Sequence, residues 1–577
     1  MIFVMRKVFK LLVLSIIVAA GILSACTKDN FDMDRVSGQV AYDGSFAIPL
    51  AYSDIKLYQI LDVMDTSIAL QENEEGFLSM FYHSYVESRR VQELLNIDVP
   101  PFSTTISLSD MTSRGIRSGS SLNYTTEEKI SFTLTNDGNE NNEAEIDSIA
   151  LNSGTLEYSL ESTLGNSMKV VVEFPSIRKN GRPLKDSLTL NSSNTSEHRN
   201  LSLDGYTIDM TTTDRHFNEI PFKISSALEY EGMPPTSGYL SVSLDLRNFN
   251  YKGMYGYFGH NELLFQSDTI EITMFKHDPK YDWEHARFYF KEPKITVSYW
   301  NSYGVPSMFY FTELDTYMQK SDVIWNMDDI VRPNFPLGPG NPCVVRHALI
   351  QGREAEGEII IDSTNSLLDQ IVPNRPTWLH FAAKAETNPG SGPDHSGSNF
   401  IDADSRLRAK IEVEIPLYGH LHNFTYRDTA DIDISSYVGG LPIKRMALQL
   451  NIDNYMPVEA SAQFYLVDEN YTVLDSLVKN PAIDPMVLNA APIDAYGHLV
   501  GDGVNKKTLI ELDKSQIENL ANSKHLLIKI TSSTAGNSAG GTNIKLFREY
   551  GFKVNIGVDV DLDIEGNVNN MKSVSAK

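Results

Sequence analysis

Phe552-Lys553-Val554-Asn555-Ile556-Gly557-Val558-Asp559-Val560-Asp561-Leu562-Asp563-Ile564-Glu565 alternates seven apolar residues with seven that are charged, polar or glycine. A period of two belongs to a β-strand with one dry face and one wet face, and strands wetted on one side belong to antiparallel sheets. The same alternation recurs in Leu407, Ala409, Ile411, Val413 and Ile415 against Arg408, Lys410, Glu412 and Glu414. It recurs again in Leu240, Val242, Leu244 and Leu246, and in Ile130, Phe132 and Leu134. These strands predict an all-β chain, mostly antiparallel, built of tandem β-sandwich-like modules with short helices.

Working outward from the long strand, three features of residues 291–416 recur in the same order in residues 440–565. Ile295-Thr296-Val297-Ser298-Tyr299-Trp300-Asn301, then Pro306, then Met308-Phe309-Tyr310-Phe311 matches Leu448-Gln449-Leu450-Asn451-Ile452-Asp453-Asn454, then Pro457, then Phe464-Tyr465-Leu466. Ile359-Ile360-Ile361-Asp362 precedes a helical stretch with Leu367, Leu368 and Ile371, and Leu509-Ile510-Glu511-Leu512-Asp513 precedes one with Ile517 and Leu520. Each copy closes on one of the long alternating strands, and Asn301 and Asn454 stand 153 positions apart, Asp362 and Asp513 151. A fixed offset over three features predicts an internal repeat. Asp513 with Gln516 has the spacing of a capping box, and Asp362 or Ser363 is the corresponding expectation for the other helix. A fainter copy starts at Leu156, passes Val170-Val171-Val172 and ends in the strand from Leu240 to Leu246.

Ile48-Pro49-Leu50 echoes Ile415-Pro416-Leu417, and a proline at such a place predicts an edge strand lent by the N-terminal region to a neighbouring module. Loops are expected at 136–143 and 388–397, both dense in Asn, Gly, Ser and Pro. The expected organisation is a leader at 1–25, a tether at 26–40, an N-terminal β region at 41–145, and β modules at 146–290, 291–430 and 431–577, the last with a short tail.

The leader itself reads Arg6, Lys7 and Lys10, thirteen uncharged residues from Leu11 to Leu23, then small residues ending at Cys26. That is the pattern of a signal peptide, with an apolar core shorter than the ~20 residues a spanning helix needs. Leu23-Ser24-Ala25-Cys26 resembles a bacterial lipobox, which implies cleavage before Cys26 and a diacylglyceryl group on its sulfur. Two or more acyl chains hold a protein stably on a membrane. Thr27-Lys28-Asp29-Asn30-Phe31-Asp32-Met33-Asp34, a lysine followed by acids, resembles the export signal of Bacteroidota surface lipoproteins. The resemblance implies the cell outer membrane, facing the exterior.

Removing residues 1–25, which carry three basic residues and no acid, takes the formal charge from −26 to −29. So acidic a chain, with no basic cluster, excludes nucleic acid as a partner. With Cys26 lipidated, Cys343 has no mate, so no disulfide framework exists and stability must come from buried apolar area; Cys343 is read as a small buried hydrophobe.

No metalloprotease helix motif, nucleophile elbow, P-loop or dinucleotide fingerprint occurs in the sequence. Asp559, Asp561 and Asp563 mimic the start of a calcium loop but are followed by Ile564 and Asn570 where Gly and Glu are needed, so they read as a solvated strand face. His420 and His422 share one side of a strand without a third ligand in view. No metal and no cofactor is expected, and Trp283 and Trp300 read as core. One stretch has a functional look: Tyr251, Tyr255, Tyr257 and Phe258, paced by Gly253, Gly256 and Gly259 and followed by His260. Flat rings brought forward by glycines suit stacking on a sugar or on another protein; folded inward, they would close a sandwich end. The expected role is a non-enzymatic, membrane-anchored binding or accessory subunit of an outer-membrane protein complex. Its expected partners are the membrane, through Cys26, and an outer-membrane protein, and the alternative is a glycan-binding lipoprotein of a polysaccharide-uptake system.

Overall fold

The computed structural model describes residues 39–58, 69–73, 75–136, 139–141, 143–211, 217–231, 235–275, 281–282, 285–390, 399–432, 443–479, 486–534 and 542–567. Early in the chain lie β1 (Gln39–Lys56), β2 (Leu78–Glu87) and β3 (Phe102–Ser107), and none of these pairs with another. Each instead completes a different sandwich.

The first sandwich is continuous from β3. It adds β4 (Ser121–Ser131), β5 (Glu145–Ser162), β6 (Ser167–Lys179), β7 (Arg182–Leu190), β8 (Ser196–Ser202), β9 (Glu219–Glu229) and β10 (Tyr239–Tyr257). One sheet runs β3-β10-β5-β8 and the other β4-β9-β6-β7, every pair antiparallel. The short strand Thr207–Asp209 pairs with both β5 and β6 and stitches the two sheets along one edge.

The second sandwich takes β2, then β11 (Asp268–Glu271), β12 (Lys294–Asn301), β13 (Ser307–Met318), β14 (Val323–Trp325), β15 (Ala355–Ile361), β16 (Pro376–Thr387) and β17 (Leu407–Pro416). Its sheets are β2-β17-β12-β15 and β11-β16-β13-β14. The third takes β1, then β18 (Phe424–Asp431), β19 (Ile443–Asn454), β20 (Val458–Val467), β21 (Val473–Ser476), β22 (Val504–Leu512), β23 (His525–Thr534) and β24 (Gly551–Asn567). Its sheets are β1-β24-β19-β22 and β18-β23-β20-β21.

Numbering the eight strands of each sandwich in chain order gives sheets 1-8-3-6 and 2-7-4-5 all three times. That is the strand order of a jelly roll. The three are nested: the first lies between strands 1 and 2 of the second, and both lie between strands 1 and 2 of the third. The all-β, tandem-sandwich expectation holds, and the faint third copy is a full one.

Alternation does in space what it does in sequence. In β24 Val558, Val560 and Leu562 are buried while Asp559 and Asp561 stay at the surface, where Arg445 holds Asp561 (3.3 Å) and Glu511 (3.0 Å). Burying each such aliphatic side chain stabilises the fold by about 1.5–3 kcal/mol. With Met446, Leu448, Phe464 and Leu466 these residues form a core separate from that of the other two sandwiches. β1 is an edge strand whose register shifts between Pro49 and Ala51, as a residue without an N–H requires. Edge strands β15 and β22 turn Glu356, Glu358, Lys506 and Lys507 outward, charges that deter a further strand.

Helices are short, among them α1 (Leu108–Arg114), α2 (Leu368–Ile371) and α3 (Lys514–Asn522). Asp513 and Gln516 form the expected capping box of α3, and Ser107 with Asp110 forms another on α1. α2 has no side-chain cap; Asp362 instead accepts from the N–H and hydroxyl of Thr364, holding the turn before it. No helix among the described residues is long and apolar enough to cross a membrane.

Candidate functional site

The aromatic stretch lies where the first and second jelly rolls meet. β10 outruns β3, and its last turn of chain pairs instead with Phe400–Asp402 from the second sandwich, Gly253 opposite Asp402 and Tyr255 opposite Phe400. A Cβ on Gly253 would lie 2.7 Å from Gln351 Nε2 and 2.8 Å from Asp402 Oδ1. Gly256, at φ +140°, presses on the Glu145 carbonyl and Ile146 Cα. The glycines do bring backbone close, and what they approach is the neighbouring strand.

The rings turn inward. Tyr251, Tyr257 and Phe258 are buried, and Tyr251 donates its hydroxyl to the Leu95 carbonyl at 2.9 Å. Burial holds the phenols of Tyr251 and Tyr257 above the usual range. Tyr255 is half-buried; it donates to Gln351 Oε1 (2.8 Å), whose amide donates to Asp402 (2.5 Å), and its ring packs on Phe400 at 6.0 Å. His260 alone is exposed, with its Nε2 3.6 Å from Glu386 and its backbone N–H directed at Glu143 (3.4 Å). Glu386 also accepts from Tyr310 (2.6 Å), which pushes that phenol up to about 12. Asn261 ties the seam: its amide donates to the Phe258 carbonyl (2.7 Å), its Oδ1 accepts from Asn136 (2.7 Å), and its carbonyl accepts from Thr387 N–H.

A recess among Leu94, Leu95, Phe258, Tyr303, Val305 and Ile401 has a volume of about 20 Å³. That is room for one water, whereas small-molecule pockets run to about 300–1,000 Å³. The place suggested by the sequence for stacking is thus a packed joint.

A second joint, between the second and third jelly rolls, carried no signal in the alternation. Phe77 meets Tyr418 (6.0 Å) and Phe547 (6.5 Å) edge-on, Phe547 meets Tyr550 (5.6 Å), and His498 lies 4.2 Å from Phe547. Lys545 stands over Phe77 and Tyr418 and pairs with Glu75. Backbone bonds from Leu78 N–H to the Leu546 carbonyl (2.9 Å) and from Leu546 N–H to the Leu417 carbonyl (3.0 Å) fix the seam. The legible clue was aromatics placed just ahead of a strand and off its period-two register, Phe77 before β2 and Phe547 before β24.

Cys26 and Trp283 lie outside the described residues. Cys343 is half-buried rather than buried, and burial raises its thiol. Trp300 is on the outer sheet face, with the Arg408 guanidinium 5.7 Å from its ring. His420 stacks on Tyr289 at 4.3 Å and meets Asn543 at 2.9 Å. Among the described residues, no three His, Cys, Asp or Glu side chains gather closely enough to hold a metal ion.

No protein-family profile and no curated protein matches this chain. Among solved structures it is similar to a protein from Parabacteroides distasonis ATCC 8503 provisionally described as secreted, at 11% identity over 90% of this chain and 99% of that one, with a TM-score of 0.26. It is also similar to infectious bursal virus derived T=1 particles, at 9% identity over 89% of this chain and 86% of that one, with a TM-score of 0.11. At those scores the overlaps are too slight to bear on fold or function.

Proposed function

We propose that this chain is a lipid-anchored protein of the bacterial outer membrane, facing outward, whose jelly rolls act as a non-enzymatic binding or accessory subunit of an outer-membrane protein complex. The observation that carries the reading is the leader closing on Leu23-Ser24-Ala25-Cys26, followed thirteen residues later by the first strand of an end-joined series of sandwiches. A lipid on Cys26 holds the chain at a bilayer, and two joints closed by aromatic packing and hydrogen bonds give it stiff reach. Jelly rolls serve many ends, so the role rests on the anchor and the architecture together.

Two measurements test it. Cells fed labelled palmitate should label the wild-type polypeptide and not Cys26→Ala, and an unlabelled wild type refutes the anchor. Affinity capture of the tagged protein from detergent-solubilised outer membranes should recover a membrane protein in stoichiometric amount. Recovery of the chain alone, together with retention on a glycan array, refutes the docking role in favour of glycan binding.

A further inference from the structure

We propose that the open end of the third jelly roll, where β1 begins and β24 finishes, faces the lipid bilayer, with the 468–472 turn against it and the first jelly roll farthest away. This rests on the reading of Cys26 as the lipid-bearing residue. The order of the sandwiches from the membrane is then the reverse of the order in which their bodies follow along the chain.

Tether length is the first ground. Thirteen residue steps separate Cys26 from Gln39, so the start of β1 lies within about 47 Å of the anchored sulfur even at full extension. Register says what else is at that end. Gln39 faces Asn567, Leu562 faces Ile443, and Met446 faces Leu512, which leads through Asp513 into α3. In the other sheet His525 faces Val467, so the turn between β20 and β21 is at the same end. The opposite end is taken: after eighteen residues of β1, about 60 Å of strand, the chain reaches Lys56 and the aromatic joint to the second jelly roll. β2 carries it on through that sandwich to Glu87, and β3 runs from Phe102 to Ser107 toward the distal loops.

The surface presented there is the second ground. Tyr471 sits at φ +60°, a backbone region that bulky side chains seldom adopt, and is 61% exposed. Asp468 fixes the turn by accepting from the N–H groups of Asn470 and Thr472, both at 2.8 Å. The ring lies flat on His525 at 4.6 Å beside exposed Val473. A ring with an apolar body and a polar hydroxyl suits the bilayer–water boundary. Lys479, Lys514 and Lys524 stand with Glu469, Asp475, Asp513 and Glu518 on the segments that meet at this end, and Asp431 pairs with His525 (2.7 Å) beneath the ring, so the end carries no positive field that would select anionic lipid.

The test uses the full-length lipidated protein carrying Cys343→Ser and one new labelling site, Asn470→Cys at the open end or Ser193→Cys in the loop between β7 and β8. Each is reconstituted into phosphatidylcholine vesicles containing an acceptor-labelled lipid. Energy transfer from position 470 should exceed that from position 193 several-fold. Equal or reversed transfer in protein that floats with the vesicles overturns the orientation while leaving the anchor standing. Lipid-free protein that does not float at all overturns the anchor, and the orientation with it.

Discussion

One side chain at the end of the third strand of each jelly roll does the same work with a different number of bonds. Asn454, fully buried, accepts from Met456 N–H (2.8 Å) and donates to the carbonyls of Val458 (3.0 Å) and Asn489 (2.8 Å). Asn301, fully buried, accepts from Tyr303 N–H and donates to the Arg346 carbonyl, both at 3.0 Å. Ser162 accepts only from Leu164 N–H (3.3 Å). A buried hydrogen bond contributes about 0.5–1.5 kcal/mol net, and a partner stranded without water costs about 1–3 kcal/mol. Asn454→Ala should therefore destabilise by about 2–4 kcal/mol, Asn301→Ala by about 1.5–3 and Ser162→Ala by about 1. Urea melts followed by hydrogen exchange at amides of β19, β12 and β5 report each sandwich separately. Asn454→Asp sharpens the test. It keeps the acceptor but cannot donate to the two carbonyls, and burial raises its folded carboxyl above the unfolded value, so it should cost more than alanine at pH 7 and recover as pH falls through that raised value, the recovery being complete near about pH 4. A cost under about 1 kcal/mol for Asn454→Ala, or Ser162→Ala costing as much as it, refutes the reasoning.

Gly256→Ala places a Cβ against the Glu145 carbonyl and Ile146 Cα at a positive φ, and should cost about 2–3 kcal/mol in a thermal melt. Tyr251→Phe removes only the bond to Leu95 and should cost about 1 kcal/mol, whereas Tyr251→Ala empties the joint and should cost about 3–5 kcal/mol, with faster proteolysis between the first two sandwiches. The Lys479 ammonium, then the Gln516 N–H, hold the Asp513 carboxyl below its ordinary value, so its cap is at full strength above about pH 4 and is lost as pH falls through the folded value; Asp513→Asn should flatten the acid limb of α3 exchange protection. In pulsed hydrogen exchange during refolding, β10 should gain protection before β17, and β17 before β24.

Period two in β24 and β17 told their faces and the antiparallel class, because side-chain direction is a local property of an extended chain. The 153-residue and 151-residue offsets told that the second and third sandwiches repeat, and the Asp513–Gln516 spacing told the start of α3. Alternation does not say which strand lies alongside. Nothing in Gln39–Lys56 names Gly551–Asn567 as its neighbour, and the pairing is set by what is left unpaired once the other seven strands are in place. The aromatic stretch failed for a related reason. Gly253 and Gly256 signal close approach in either direction, and whether the approach is to a ligand or to Asp402 and Glu145 depends on strands more than about 100 residues away.

Nesting gives those late pairings a direction. The first jelly roll spans 102–257 and can close on its own strands; the second waits for Leu407–Pro416 to meet Leu78–Glu87, and the third for Gly551–Asn567 to meet Gln39–Lys56. Closing a flexible loop of about 500 residues rather than about 150 costs only about 1 kcal/mol more, since the entropy grows with the logarithm of length. Once the inner sandwiches are formed even that cost shrinks, because the aromatic seams at Tyr251 and Phe77 already hold the ends of the next strand near its partner. The joints are thus part of how the chain assembles as well as how it stands, and the aromatic stretch from Tyr251 to Phe258 turns inward to one of them rather than outward to a ligand.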